Sequence, residues 1–548
     1  MGERHQNKRN PVPEIRVIFV RPLPVTRSPL VMRVIRLCVA AALLALPATA
    51  QQARLPKNLD AYVQQALATF QVPGVGLAIV KDGKVLLARG YGVRRWGDTA
   101  KVDAHTYFQI ASNTKAYTTA ALSMLTDSGA ISWDDPVQQY LPWFQLADPW
   151  VTREFTIRDL VTHRSGLGLG AGDLVWFHSD YPREEVVRRL RYAKPVTSFR
   201  TAYAYDNVLY IAAGLVVEAA SHQRWDAFIK ERIFTPLGMT EAGSDVALMS
   251  TPNAATPHSF QNGKVVIVPL DTVQNTAPAG AIVENVTDAA KWLLAQLDSG
   301  RTPAGRALWN PRDTKQMWAA QTILPIGDES QTPQFLPLMP NFAAYGLGWG
   351  LRDYRGHKIV SHTGGLAGMT SRTMLVPDQR LGIVLFTNAE TDIITALPYW
   401  ILDRFLGAPP TDWVKIFHDN EVKGRAFGDS VEHAAAATRD ATSRPSLALA
   451  RYAGSYTDKL YGDATIAMEG DHLVLRFSHS AAFVGDLEHW QHDTFKTHWR
   501  TANIAEAFVT FTLQPDGSIL QFTMQAVSPL ADFSFDYQDL LFEPKPGR

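Results

Sequence analysis

Phe108-Gln109-Ile110-Ala111-Ser112-Asn113-Thr114-Lys115-Ala116-Tyr117 leads into a run of small and apolar residues at helical spacing that continues to Leu125. Asp127-Ser128-Gly129 then supplies a helix-stop signal. Ser112 is therefore expected at the start of a buried helix, with Lys115 one turn further on. Residues three apart lie on the same helical face, so the Ser112 hydroxyl and the Lys115 amine are expected to share a proton.

A Ser-Lys pair in this position suits nucleophilic catalysis. A serine hydroxyl is a weak nucleophile until a base removes its proton. Lysine is normally protonated at neutral pH, but burial and the positive end of a helix dipole both disfavour the ammonium form. The backbone N–H of Ser112 is an unpaired donor at the helix start and is available to hold an oxyanion. Ser-x-x-Lys nevertheless arises by chance about once in a chain of this length, so the pattern alone is a weak signal.

The composition is that of an ordinary globular protein. Of the 548 residues, 46% are hydrophobic and 19% are charged, which is enough for about two or three domains. The formal net charge is zero, so nothing indicates a nucleic-acid partner. The single cysteine, Cys38, lies in the N-terminal segment. Disulfides and cysteine-based metal sites are therefore not expected in the rest of the chain.

The N-terminal segment has the features of a secretory signal peptide. Residues 32–36 are short and positively charged, residues 37–46 are apolar, and Ala48-Thr49-Ala50 matches a small-residue cleavage site. The apolar run is shorter than the roughly 20 residues that a membrane span needs. We predict cleavage after Ala50, a periplasmic or secreted mature protein, and no stable membrane span after cleavage. Residues 1–31 are rich in Pro and Arg, which favours a translation start at Met32, with Met1 as the alternative.

Residues 51–408 are predicted to form one catalytic domain. The pattern indicates a helix over residues 58–70, a hairpin turning at Asp82-Gly83, mainly helices from about 130 to 300, and strands again after 340, including one over 345–351. Thr287 is the expected cap of a helix over 288–297. Strands thus come from both ends and helices from the middle. This order indicates an α/β (α+β) fold, with an antiparallel sheet flanked by helices and an inserted helical subdomain.

The rest of the chain is predicted to be a linker and a second domain. Residues 409–446 open with Pro409-Pro410 and then become rich in alanine and charge, which is typical of a partly helical linker. Residues 447–548 show short strand signals separated by turns such as Pro515-Asp516-Gly517. This region is expected to be a small all-β barrel or sandwich.

Two further clusters of residues strengthen the prediction that Ser112 is catalytic. Tyr205-Asp206-Asn207 precedes a predicted helix, and Ser361-His362-Thr363-Gly364-Gly365 ends a predicted strand. With Ser112 and Lys115 they resemble, in order and wide separation, the S-x-x-K, S-D-N and K-T-G signatures of the serine β-lactamase and penicillin-binding-protein superfamily. The Tyr-x-Asn form and the histidine resemble the class C β-lactamase, D,D-peptidase and esterase branch. The resemblance extends from about residue 58 to 406, and the trailing β domain resembles a small domain fused to many members.

This resemblance implies a β-lactamase-like fold and a role for each motif residue. Ser112 would attack a carbonyl carbon, and Lys115 and Tyr205 would share the general-base work. The backbone N–H groups of Ser112 and Gly365 would form the oxyanion hole. The expected substrate-binding residues are Asn207, His362, Thr363 and Gly364. The acyl-enzyme would be hydrolysed by water, with no metal or cofactor.

Two positions depart from the family pattern. Asp206 stands where small residues are common, and its carboxylate either points inward and raises the pKa of Tyr205 or faces solvent. His362 replaces the lysine of K-T-G, so its attraction for a substrate carboxylate is expected to be weaker and to depend on pH near neutrality. His163, in Thr162-His163-Arg164-Ser165-Gly166, is expected to have a structural role.

The sequence therefore favours an exported serine hydrolase that acts on esters, amides or D-amino-acid-containing peptides. A class C-type β-lactamase is an alternative within the same class. A sensor that is acylated by β-lactams or muropeptides and barely turns over is an alternative of a different class. The expected partner is a small-molecule or peptide substrate, and a homo-oligomer remains open.

Overall fold

The structure is a computed structural model that describes residues 54–261, 263–327 and 333–545. The predicted signal peptide and the choice between Met1 and Met32 lie outside these residues. Among the described helices, each is too short or too polar to cross a bilayer.

The first domain contains twelve short or medium strands among the described residues. In chain order they are β1 (Gly74–Lys81), β2 (Lys84–Gly92), β3 (Phe108–Gln109), β4 (His258–Gln261), β5 (Lys264–Ile267), β6 (Val283–Glu284), β7 (Thr322–Ile323), β8 (Ala343–Tyr345), β9 (Gly350–Tyr354), β10 (His357–Leu366), β11 (Met369–Val376) and β12 (Leu381–Thr387). Eight of these strands form one antiparallel sheet in the order β2-β1-β12-β11-β10-β9-β8-β7.

Helices cover both faces of this sheet. In chain order they are α1 (Leu59–Phe70), α2 (Thr114–Asp127), α3 (Pro149–Glu154), α4 (Ile157–Leu160), α5 (Asp173–Trp176), α6 (Arg183–Arg189), α7 (Val208–Ser221), α8 (Trp225–Ile229), α9 (Thr235–Leu237), α10 (Ala277–Gly280), α11 (Val286–Leu297), α12 (Pro311–Met317), α13 (Ile393–Leu406) and α14 (Trp413–Thr438). Strand β1 shows why both faces are covered. Its Leu77 and Ile79 belong to the core under α1 and α13, whereas Ala78 and Val80 belong to the core that contains α2 and α11. Alternate side chains point to opposite faces, so this strand is apolar throughout.

The predicted fold class is confirmed, and so is the first hairpin. Asp82 and Gly83 have φ values of 51° and 78°, as a primed two-residue turn requires. Other local predictions were wrong. Thr287 does not cap α11, because the Asn285 side chain accepts the N–H of Asp288 at 3.0 Å. Residues 345–351 are not one strand, because the chain turns at Gly348 (φ 78°) between β8 and β9.

The segment over 409–446 is largely helical. Helix α14 takes up 26 of its residues, and Trp413, Val414 and Phe417 at its start are buried against α1 and α13. The remainder of α14 is mostly exposed. It carries the chain across to the C-terminal domain.

The C-terminal domain is a closed barrel of eight antiparallel strands, each paired with its neighbours in sequence. Its strands are β13 (Gly454–Asp458), β14 (Gly462–Glu469), β15 (His472–Phe477), β16 (Val484–Gln491), β17 (Thr494–Trp499), β18 (Ala507–Leu513), β19 (Ile519–Ala526) and β20 (Leu541–Pro544). Aromatic side chains such as Tyr456, Phe511 and Phe522 pack in its interior. The long connection between β19 and β20 leaves the barrel and reaches the catalytic domain.

Candidate active site

Ser112 lies in a single 3₁₀ turn, Ala111–Asn113, that leads directly into α2. Ala111 has a φ of 49°, which is uncommon for a residue other than glycine and is typical of a backbone held by its surroundings. Ser371 on β11 holds this turn: its hydroxyl donates to the carbonyl of Ile110 at 2.6 Å and accepts the Asn113 side-chain amide at 2.7 Å. The nucleophile turn is thus tied to the central sheet.

Lys115 meets three oxygen atoms at the base of the site. Its Nζ lies 2.9 Å from Ser112 Oγ, 2.7 Å from Asn207 Oδ1 and 3.1 Å from the carbonyl oxygen of Ala279. Lys115 has no exposed surface, and burial lowers its pKa to about 7. A neutral amine has two N–H groups and one lone pair. The two N–H groups match the Asn207 and Ala279 oxygens, which only accept, and the lone pair is left for the Ser112 hydroxyl.

Tyr205 borders the same pair. Its ring centroid lies 4.7 Å from Lys115 Nζ, and its hydroxyl is buried. Burial holds the pKa of Tyr205 well above 10, although the neighbouring Ser112 hydroxyl opposes this rise. The phenol therefore keeps its proton in the resting site, and Lys115 is the stronger candidate for the base that takes the first proton.

Asn207 is oriented by a residue that the sequence patterns did not single out. Its Nδ2 donates to Asp173 Oδ2 at 2.8 Å, and the other oxygen of Asp173 accepts Trp176 Nε1 at 2.7 Å. Asp173 is fully buried, and burial raises its pKa to about 7. It lies 34 residues before Asn207, a separation that carries no periodic signal.

His362 lies within β10 rather than at the end of a strand, because β10 continues to Leu366. Its Nδ1 lies 2.5 Å from the carbonyl oxygen of Thr363, and its Nε2 lies 2.9 Å from the Tyr345 hydroxyl. A carbonyl only accepts, so Nδ1 carries the proton and Nε2 accepts from Tyr345. Burial, with smaller contributions from Lys115 and Arg372, lowers the pKa of His362 to about 3. The expectation of a histidine that titrates near neutrality is therefore wrong.

Asp206 points inward, so the solvent-facing alternative is wrong. It is fully buried, and its Oδ1 accepts the N–H of Leu209 at the start of α7 at 3.2 Å. Burial raises the pKa of this carboxyl to about 8. His163 supports the same loop, because its Nδ1 accepts the N–H of Asp206 at 3.1 Å and its ring packs 4.2 Å from that of Tyr205. This contact agrees with the structural role expected for His163.

Gly364 lets β10 pass close to the nucleophile turn. A Cβ atom on Gly364 would lie 2.2 Å from the carbonyl oxygen of Ile110 and 2.5 Å from Ser371 Oγ. Only glycine fits there without movement of the backbone. A Cβ atom on Gly365 would meet no atom within 4 Å. Thr363 and Gly365 both line the open side of the site.

These residues surround a cavity of about 500 Å³. The residues predicted from the sequence that line it are Ser112, Tyr205, Asn207, His362, Thr363 and Gly365. Part of the wall comes from the barrel domain, which contributes Asp532, Phe533 and Ser534 from the β19–β20 connection. The Phe533 ring packs edge-on against Tyr205, with centroids 5.6 Å apart. Nothing in the local sequence pattern indicated that the second domain would reach this site.

Arg372 is a further cationic residue at the cavity wall. Its guanidinium donates to the Thr395 hydroxyl at 2.8 Å and lies 5.7 Å from the ring centre of Tyr399. Both contacts are to α13. Among the described residues, no group of three or more His, Cys, Asp or Glu side chains is arranged to hold a metal ion.

A serine at a helix start, a buried lysine one turn away and a tyrosine beside both, on a sheet flanked by helices, define a β-lactamase-like serine hydrolase. Residues 59–402 match the Beta-lactamase family, and the chain belongs to it. Residues 438–544 match a domain of unknown function, DUF3471. The barrel thus corresponds to a recurring domain.

Relatives and a solved structure agree with this assignment. The chain is 30% identical to unguisins hydrolase ungD′ of Aspergillus campestris over 77% of this chain and 79% of that protein. It is 24% identical to protein flp of Staphylococcus aureus over 62% of this chain and 64% of that protein. The structure of the octameric penicillin-binding protein homologue from Pyrococcus abyssi is similar in fold, with a TM-score of 0.54, 20% identity and coverage of 86% and 98% of the two chains.

Proposed function

We propose that this protein is an exported serine hydrolase that forms an acyl-enzyme on Ser112 and cleaves esters, amides or D-amino-acid-containing peptides. The observation that carries the proposal is the fully buried Lys115 amine, 2.9 Å from Ser112 Oγ, with a pKa lowered to about 7. A lysine in this state is a base at neutral pH, which an ordinary lysine is not.

In the first half-reaction, Ser112 Oγ attacks the substrate carbonyl carbon while its proton passes to Lys115 Nζ. The carbonyl oxygen becomes an oxyanion, which the backbone N–H groups of Ser112 and Gly365 stabilise. The Tyr205 hydroxyl gives its proton to the leaving group and recovers one from the Lys115 ammonium. The bond to the leaving group breaks, and the acyl group remains on Ser112. In the second half-reaction, water gives a proton to the Tyr205 oxygen as it attacks the acyl carbon, while Tyr205 passes its own proton to the neutral Lys115 amine. The bond to the acyl carbon then breaks, and the Lys115 ammonium returns a proton to Ser112 Oγ.

The charges around the cavity favour substrates that present no carboxylate group to β10. His362 is neutral, so the fixed cation of a K-T-G lysine is missing from this strand. Asp532 is an exposed acidic residue on the cavity wall. One N–H of the Arg372 guanidinium is used by Thr395 on α13. These features favour esters and amides over β-lactams, which carry a carboxylate. The relative named as an unguisins hydrolase supports hydrolysis as the general chemistry.

Export rests on the sequence of residues 32–50, and cleavage after Ala50 would leave Gln51 as the first residue. N-terminal sequencing of the protein recovered from the periplasm or the medium tests this part of the proposal. A mature chain that keeps residues 32–50, or a protein found only in the cytoplasm, would contradict it.

The activity is tested with a panel of p-nitrophenyl esters, D-amino-acid p-nitroanilides and nitrocefin. Ser112→Ala should abolish turnover of every substrate that responds while binding is largely kept. Ser430→Ala, in the exposed part of α14, is the matched control and should retain full activity. Residual activity in Ser112→Ala would contradict the proposal. A stoichiometric burst without steady-state turnover would instead favour the sensor. Nitrocefin turnover as fast as that of p-nitrophenyl acetate would overturn the expected ester preference.

A further inference from the structure

We propose that the C-terminal barrel domain helps to position the catalytic residues. Asp536 of this domain binds the start of the short helix α5, and Asp173 on that helix orients Asn207 toward Lys115. This inference rests on the proposed serine hydrolase function and assigns the second domain a role in it. Asp536 and Asp173 are positioning residues, since neither touches the reacting atoms.

The first contact joins the two domains. Asp536 is fully buried in the β19–β20 connection, and its carboxylate accepts the N–H of Gly172 at 2.7 Å and that of Leu174 at 3.2 Å. It also accepts the Tyr461 hydroxyl from the barrel at 2.5 Å. The residue before α5 is Gly172, which has no side chain to cap the helix. The barrel therefore supplies the cap that the catalytic domain lacks.

The second contact runs from α5 to the substrate-binding asparagine. Both oxygens of Asp173 are used, one by Asn207 Nδ2 at 2.8 Å and one by Trp176 Nε1 at 2.7 Å. Ser534 of the barrel lies beside this carboxyl and opposes the rise in its pKa. With its Nδ2 held by Asp173, the Asn207 amide is left with its oxygen directed at Lys115. A rotated amide would bring N–H groups against the Lys115 N–H groups.

The third contact reaches the base itself. Asn207 Oδ1 accepts from Lys115 Nζ at 2.7 Å, and Lys115 Nζ lies 2.9 Å from Ser112 Oγ. When an N–H of the neutral lysine is hydrogen-bonded to Asn207, the lone pair of the lysine nitrogen faces the Ser112 hydroxyl. The chain Asp536–α5–Asp173–Asn207–Lys115 is continuous. Removal of the Asp536 carboxylate should lower kcat more than it raises KM, because a small misplacement of a catalytic group has a large effect on rate.

The experiment compares Asp536→Ala and Asp536→Asn in the full chain. It measures the rate at which a fluorophosphonate modifies Ser112, located by mass spectrometry, and kcat and KM for a responsive p-nitrophenyl ester. Asp536→Ala should lower the labelling rate and kcat by about 10- to 100-fold with KM changed by less than about 3-fold. Asp536→Asn keeps an oxygen for the Gly172 N–H but places its amide N–H groups against the N–H of Leu174, so it should recover only part of this loss.

The matched control is the same pair of changes at Asp493. This barrel carboxylate accepts the backbone N–H and the hydroxyl of Ser446 and the hydroxyl of Tyr452, and its hydrogen bonds to described residues all lie within the C-terminal part of the chain. Asp493→Ala should lower the melting temperature without slowing labelling of the folded protein. Equal slowing in the Asp493 and Asp536 variants, or wild-type labelling in Asp536→Ala, would overturn the inference.

Asp173→Asn keeps the inference testable if Asp536→Ala does not fold. This change leaves one acceptor for two donors, so kcat should again fall while KM is little changed. Wild-type kcat in Asp173→Asn would overturn the inference. Failure of the proposed function has a different outcome, because the wild-type protein itself would then show no labelling of Ser112.

Discussion

The Nζ of Lys115 lies 2.9 Å from the Oγ of Ser112, and no part of Lys115 is exposed to solvent. This distance places the Lys115 amine within hydrogen-bond reach of the Ser112 hydroxyl. Burial disfavours the ammonium form of Lys115, which could not accept the serine proton. Asp173 and Asp206 oppose the lowered pKa of the lysine, and the neighbouring His163 and His362 are held neutral by burial.

Activity should rise with pH through a midpoint near 7. Below this value Lys115 is an ammonium and has no lone pair for the Ser112 proton, and above it the free amine is present, because its pKa is about 7. The measurement is kcat/KM for a p-nitrophenyl ester between pH 5 and 9, corrected for spontaneous hydrolysis. A midpoint near 10, the value of an exposed lysine, would contradict the assignment.

Lys115→Arg should be inactive at every pH in this range. A guanidinium stays protonated throughout, so it cannot accept the serine proton. We expect kcat/KM to fall by about 1,000-fold or more, with no recovery toward pH 9. Arg404→Lys, at an exposed end of α13, is a control for the general effect of an Arg–Lys exchange. Activity that returns as the pH rises would mean that Lys115 is not the base.

Asp206→Asn should stabilise the protein at alkaline pH. The folded pKa of about 8 is above the ordinary 3.8, so the folded state binds the proton more tightly than the unfolded state. Stability from this group is therefore present at low pH and is lost as the pH rises from about 4 through about 8. An asparagine keeps an oxygen for the Leu209 N–H and does not titrate.

Thermal unfolding at pH 5 and pH 8.5 checks this prediction. The melting temperature of Asp206→Asn should exceed that of the wild type by several degrees more at pH 8.5 than at pH 5. The exposed Asp516 in the turn over 515–517 provides the control, since its pKa is lowered rather than raised. An equal change at both pH values would show that the Asp206 carboxyl is ionised in the folded state.

Gly364→Ala should impair both folding and activity. The new Cβ would press on the Ile110 carbonyl and the Ser371 hydroxyl, which hold the nucleophile turn, so β10 must move away from Ser112. We expect kcat to fall by about 100-fold and stability to fall by about 1–3 kcal/mol. Gly424→Ala, on an open face of α14, makes the same change with no atom within 4 Å and should be neutral or slightly stabilising.

Phe533→Ala should shift the preference toward larger acyl groups. The Phe533 ring forms part of the cavity wall and packs on Tyr205, so its removal opens space next to the nucleophile. The ratio of kcat/KM for p-nitrophenyl octanoate to that for the acetate should rise by about 10-fold. Leu520→Ala, on an exposed part of β19 outside the cavity, should leave the ratio unchanged. An unchanged ratio in Phe533→Ala would show that the barrel wall does not limit the substrate.

The helix after Ser112 and the first hairpin were accessible from the sequence because their signals are local, whereas the roles of Tyr205, Asn207 and His362 came from their resemblance to family motifs. Helical spacing after Ser112 and the Asp82-Gly83 turn each lie within a few residues, and the structure agrees with both. The Thr287 prediction failed because Asn285, two residues earlier, takes the N–H of Asp288. Capping propensity alone does not decide which of two neighbouring residues caps a helix.

By itself the sequence determined that Ser112 and Lys115 share one helical face and that strands from both ends of the catalytic domain build one sheet. These are consequences of the 3.6-residue and two-residue periods. Tertiary structure decided the charge states, because only packing removes water from Lys115, Asp206 and His362. It also decided that Asp536 and Phe533 reach the site from another domain. No period along the chain records contacts between residues hundreds of positions apart, and such contacts exist only once both domains are folded.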